Sequence, residues 1–337
     1  MWIRLATLLL AGCGLVGAAS KTLDVYFVDV EGGQATLVVS PSGESLLIDT
    51  GWPGFQQRDA KRIVAVAHAA GLKQIDNLLI THFHVDHAGG VPQLAALIPI
   101  RNFIDHGESI EKDDAGNKLY HDYLEVRDKG KHMQAVPGTM LPLSGVNAEV
   151  VTAGGKRIDK SLPGAGAPNP HCAETKQKDT DPTENAQSVG TFFTFGKFRM
   201  VDLGDLTWNK EYDLMCPVNR LGTADVYVVT HHGMDMSGTP AMVAGLNPRV
   251  AIMDNGAKKG GTVEAWDTIH HTKTVEDIWQ VHRSIAGGDG HNAPEKFIAN
   301  LQATPDEGHY LKLSAKPDGS FSVTNGRTGW TKDYPAR

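Results

Sequence analysis

Cysteine is scarce, with three in 337 residues. That number excludes a disulfide-stapled scaffold and a four-cysteine metal centre. Long apolar runs are missing too, and no stretch approaches the length of a membrane span. There is no internal repeat and no block of basic residues. The net charge is −7, from 32 Lys and Arg against 39 Asp and Glu. Recognition of a nucleic-acid backbone depends on Lys and Arg neutralising phosphates, so strong duplex binding is not expected. A small phosphoester is not excluded, because bound metal ions bring positive charge of their own. Hydrophobic residues make up 41% and charged residues 21%. That is an ordinary globular composition, with enough chain for one large domain or two small ones.

The N-terminus differs from the rest. Arg4 precedes an apolar stretch from Leu5 to Leu10, and Gly17, Ala18 and Ala19 offer small residues for cleavage. The pattern reads as a signal peptide over residues 1–19, ahead of a single domain over 20–337 with a C-terminal extension. In a rival reading, Leu10 to Cys13 resembles a lipobox, and the protein meets the membrane through a lipid on Cys13. Both readings give an exported protein, periplasmic or secreted. Cys172 and Cys216 remain. An oxidising compartment lets them pair, and they can equally stay as separate thiols.

What is present is concentrated in one run, Thr81 to Gly90. His82, His84, Asp86 and His87 fall within six residues, just past the apolar segment Ile75 to Ile80. That segment reads as a buried strand, so the four side chains leave a strand end where the backbone can aim them into one cleft. Imidazole nitrogen and carboxylate oxygen suit zinc and similar divalent ions. Gly89 and Gly90 allow a close backbone approach. The segment 91–97 reads as a helix start whose dipole points at the site.

The pattern His82-x-His84-x-Asp86-His87 resembles the signature of the metallo-β-lactamase superfamily. Leu46 to Gly51, with Asp49, resembles the family's first motif. Leu203 to Asp205 resembles its bridging aspartate, and Val228 to Gly233 its last metal-binding histidine at a strand end. In finer detail, Val28 to Thr36, Asn185 to Ser188 and His231-His232-Gly233 resemble the metallo-hydrolase domain of the DNA-uptake protein ComEC and its stand-alone relatives. The resemblance implies an α/β fold, a four-layer αββα sandwich, and covers roughly residues 23 to 270. It implies zinc, one ion or two, with manganese as the alternative.

By that resemblance His82 and His84 hold one metal. Asp86, His87 and His232 hold the other, and Asp205 bridges the two. Asp86 and His231 are the expected catalytic residues, with His231 beside the site to donate to a substrate oxygen or leaving group. Asp49 is expected behind the metal ligands. Many family members add one more histidine to the first metal. Here the candidate is His171, and the ComEC-like pattern offers Asn185 and Ser188 instead. A hydroxide held by metal is a strong nucleophile near neutral pH, because the metal brings the pKa of water to about 7. The expected activity is hydrolysis of a small-molecule substrate, foremost a phosphoester. Lactam, lactone and thioester hydrolysis is the alternative, as is a surface binding protein with a partial metal site. The run Asn255 to Gly261 can hold an anionic group through its backbone and Lys258 or Lys259, or be a solvated turn.

Elsewhere the pattern gives strands at 23–30, 35–40, 45–48, 102–105, 148–152, 225–230 and 249–253, with helices at 58–70, 118–127, 240–245 and 263–269. Val189 to Val201 reads as a hairpin, as does His309 to Thr324. Residues 153–187 lack periodicity and read as a functional loop or a flexible insertion.

Overall fold

The computed structural model describes residues 22–303 and 307–337, and the expected leader with Cys13 lies outside them. The chain begins as an antiparallel meander, β1 (Leu23–Phe27), β2 (Thr36–Val39) and β3 (Ser45–Ile48). It then alternates through α1 (Arg58–Ala69), β4 (Ile75–Leu79), α2 (Val85–Ala88), α3 (Val91–Ala95), β5 (Ile100–Asp105), α4 (Asp114–Arg127) and β6 (Lys131–Gln134). A second antiparallel set follows: β7 (Asn147–Ala153), β8 (Lys156–Arg157), β9 (Gly190–Phe195) and β10 (Phe198–Asp202). Alternation resumes with α5 (Trp208–Met215), β11 (Val226–Val228), α6 (Pro240–Leu246), β12 (Val250–Met253), α7 (Val263–His270), β13 (Asp277–His282) and β14 (Ile298–Asn300). The chain closes with β15 (Leu311–Ala315), β16 (Phe321–Asn325) and β17 (Thr331–Tyr334).

Among the described residues these strands make two sheets. Nine run in the order β17-β16-β15-β1-β2-β3-β4-β5-β6, and eight in the order β14-β13-β12-β11-β10-β9-β7-β8. Side-chain alternation sorts the layers. Leu23, Val25 and Phe27 of β1, with Leu46, Ile48 and Leu79, share one core with Phe193, Met200 and Val201 of the second sheet. Tyr26, Leu37, Leu47 and Leu78 face the other way, onto Ile63 and Val66 of α1, Leu94 of α3 and Tyr123 of α4. Leu214 of α5, Met242 of α6 and Ile269 of α7 cover the second sheet. The result is the expected αββα sandwich. Each fully buried Leu, Ile or Phe contributes about 2 kcal/mol.

Several expectations need correction. α3 spans five residues, and its Gly90 N–H bonds to Gly51 O at 3.0 Å. α4 starts four residues earlier than 118 because Asp113 caps it through Gly116 N–H. β11 stops at Val228 because Thr230 to Gly233 curls into a tight turn, with His231 and His232 at φ 56 and 55. The segment 153–187 is tied down. Cys172 and Cys216 form a disulfide, Asn169 Nδ2 donates to Met215 O and Ala241 O, and Trp208 Nε1 donates to Lys176 O.

Candidate metal centre

Parallel pairing decides where the chemistry gathers. β3, β4 and β5 run parallel, as do β10 to β13, so their carboxyl ends open on one edge of the sandwich. Asp49 follows β3, and His82 to His87 follow β4. Asp205 follows β10, His231 and His232 follow β11, and Asp254 and Lys259 follow β12. Backbone crowding holds the edge together. A Cβ on Gly33 would stand 2.3 Å from Asp86 O, so only glycine lets the β1–β2 loop lie against α2.

Asp86, His87, Asp205 and His232 each present one ligand atom within 4.8 Å of the others, and all four are buried. His87 Nε2 lies 3.3 Å from Asp86 Oδ2, 3.2 Å from Asp205 Oδ2 and 3.3 Å from His232 Nε2. His87 Nδ1 is 2.7 Å from Asp49 Oδ2, and Thr81 donates its backbone N–H and its hydroxyl to the same carboxylate. That contact holds a His87 proton on Nδ1 and turns Nε2 toward the centre. Asp254 stands behind His232 at a longer distance, 3.4 Å from its Nδ1, with no hydrogen bond between them.

The donor set fits a divalent cation. Asp205 Oδ1 is buried without a hydrogen-bond partner, although His232 Nε2 lies 3.3 Å away. Burying a single carboxylate costs several kcal/mol unless positive charge answers it, and here Asp49, Asp86, Asp205 and Asp254 are all buried. Burial works against ionisation; at Asp49 it prevails and raises the carboxyl, whereas at Asp86 and Asp205 the partners outweigh it. His232 and His87 hold the Asp205 carboxyl well below its usual range, and His87 does the same for Asp86. Asp205, with Asp86 and Asp49, pulls His87 well above its usual value, and Asp205 pushes His232 up to about 10. Burial and the neighbouring His87 drive His82 well down, so its imidazole is neutral and ready to coordinate.

Residues 28–173 match the metallo-β-lactamase superfamily. Among similar curated proteins, a lactamase-like protein nscB of Neosartorya fischeri is 34% identical over 111 residues, 31% of this chain and 30% of the relative. A ribonuclease Z of Bradyrhizobium sp. (strain ORS 278) is 33% identical over 69 residues, 20% of this chain and 21% of the relative. The chain thus spans less than a third of either relative's length. A metallo-β-lactamase of Cronobacter sakazakii with a mutated HARLDQ motif overlays with a TM-score of 0.37 at 18% identity, covering 60% of this chain and 75% of that one. MEM-A1, a subclass B3 metallo-β-lactamase from a soil metagenome library, gives 0.38 at 14%, covering 62% and 76%.

The other expected residues fall into place unevenly. His82 Nε2 and His84 Nδ1 face each other at 3.1 Å, beside the four-ligand cluster, with the His82 and His87 rings 4.1 Å apart. Among the described residues no third His, Cys, Asp or Glu joins that pair in a ligand group. The expected Asp205 bridge therefore reaches His87, His231 and His232 and does not bring His82 and His84 into its own cluster. His171 is not part of the centre. It contacts Glu174 at 3.1 Å and lines a separate cavity of about 640 Å³ with α6 and α7. Ser188 Oγ reaches His82 Nδ1 at 3.5 Å, and Asn185 is buried with its Oδ1 unpartnered.

His231 lies beside the cluster. Ser237 gives its hydroxyl proton to Leu206 O, so at 3.3 Å its oxygen accepts from His231 Nδ1. His231 Nε2 lies 3.3 Å from Asp205 Oδ2. Sequence reasoning missed Asp254 and Glu184. Glu184 Oε2 accepts from Phe83 N and sits 2.8 Å from His106 Nε2, while Oε1 accepts from Ile110 N. Its only sequence signal is adjacency to Asn185.

Proposed function

We propose that this protein is a zinc-dependent hydrolase of small phosphoesters, with manganese as the alternative ion. One observation carries the reading: Asp86, His87, Asp205 and His232 converge, buried, within 4.8 Å at the joined edge of both sheets. A divalent ion held there supplies a Lewis acid and lowers the pKa of water it binds. The chain's own residues do the rest. Asp49 and Asp254 orient the two imidazoles from behind. His231 Nε2 takes a proton from the attacking water and later returns it to the leaving group. His82 and His84 offer two nitrogens for a second, more weakly held ion.

The phosphoester preference is supported by the ComEC-like motifs and by the relative named a ribonuclease. The acidic chain favours small substrates over duplex. Another relative is named lactamase-like, which keeps the lactam alternative as an arm of the test. Export to the periplasm or beyond is part of the same proposal, supported by the leader-like N-terminus and the Cys172–Cys216 pair. N-terminal sequencing of secreted protein checks it. For activity, wild type and His87→Ala are assayed on bis-p-nitrophenyl phosphate and on a chromogenic cephalosporin. Diester turnover lost in the variant supports the reading. Cephalosporin turnover alone moves it to lactams, and activity undiminished in His87→Ala sinks the mechanism.

A further inference from the structure

The loop between β12 and α7 is built around one lysine. Lys258 points to solvent, whereas Lys259 is half-buried. The Lys259 ammonium lies on Asp86 Oδ2 and 5.5 Å from the centroid of the Trp52 ring. The loop that carries it has little freedom. A Cβ on Gly260, at φ +84, would stand 2.1 Å from His232 O, and one on Gly256 would stand 2.5 Å from Glu31 O. Backbone therefore wedges against both the β1–β2 loop and the His231–His232 turn. Gly256 N donates to Lys259 O, and Gly261 N to His232 O, which fixes the base of the lysine.

Asp86 is the anion between this ammonium and the cluster, and it leaves the lysine's positive charge fixed beside the site. Asp86 accepts one of the three ammonium donors. The side chain is 28% exposed, so the ammonium is open to solvent and to a ligand, with the Trp52 ring beside it. The geometry points to Lys259 as the anion-recognition residue of this site. It takes an anionic phosphoryl oxygen of the substrate next to the scissile bond, with Trp52 beside it. The inference rests on the hydrolase reading and adds to it which residue selects the charge.

The test is calorimetric titration of inorganic phosphate into zinc-loaded wild type, Lys259→Met, Lys259→Arg and Lys258→Met, with zinc content measured on each. The expected result is full zinc in all four. Phosphate affinity should fall about tenfold or more in Lys259→Met, recover to within a few-fold in Lys259→Arg, and stay unchanged in Lys258→Met. Lys259→Met binding phosphate as wild type does would overturn the assignment. So would loss of zinc in that variant, which would make the lysine a support for Asp86 only, or zinc-loaded wild type that ignores phosphate. A wild type that holds no zinc is a separate outcome, and it removes the hydrolase reading together with this one.

Discussion

Asp49 and Asp254 stand behind two of the metal-cluster imidazoles at different distances, 2.7 Å to His87 and 3.4 Å to His232. The shorter contact carries more of the orientation. Asp49→Asn keeps the shape and removes the charge, and zinc affinity should fall about 10–100-fold, the usual range for such a partner. Asp254→Asn should cost less. Competition against a chromophoric chelator measures both, and an Asp254 effect larger than that of Asp49 would contradict this ranking. Asp49 was legible because an Asp-Thr-Gly run follows a strand. Asp254 was not, because an aspartate after β12 resembles many turn residues until His232 is seen in front of it. Lys259 was half legible. The glycine-rich run was noticed, but only packing against Asp86 separates it from Lys258.

Two buried glutamates join elements to one another. Glu184 holds three donors from the metal loop, from Ile110 and from His106. Burial raises its pKa, but His106 and the two backbone donors outweigh it, so its carboxyl titrates below the usual range. Glu184→Ala strands those donors and should cost about 3 kcal/mol or more of stability, with metal binding weakened as the loop loosens. Chemical denaturation with a parallel zinc titration checks both parts. Glu211 of α5 accepts from Gly238 N and Thr239 N at the start of α6. Burial pushes it up from 4.5 to about 7. The folded state therefore holds a proton that the unfolded chain has released. Stability from this group is present below pH 4.5 and declines as pH rises to about 7, by about 3 kcal/mol. Glu211→Gln should remove that slope, and an unchanged slope would contradict the assignment. Neither glutamate announces itself in sequence, because each works across elements more than 25 residues apart.

At the scale of the whole molecule, the C-terminal strands are structural parts of the first sheet. β15 pairs with β1 over five residues, so the chain's end completes the nine-stranded sheet that its start begins. The sandwich was legible through its motifs and its strand–helix alternation. β13, β14 and β17 were not, since short strands carry too little periodicity to be seen alone. The disulfide is the other long-range tie, joining cysteines 44 positions apart in sequence. Replacing both cysteines with serine should cost about 2–4 kcal/mol, read as a lower denaturation midpoint. A midpoint equal to wild type would show that packing alone holds the 153–187 segment. The central claim is the buried metal cluster, and elemental mass spectrometry of purified wild type and Asp205→Ala tests it most directly. The expected result is at least one zinc or manganese ion per chain in wild type, lost in the variant. Wild type that binds neither ion after loading, or Asp205→Ala that keeps its full complement, would contradict it.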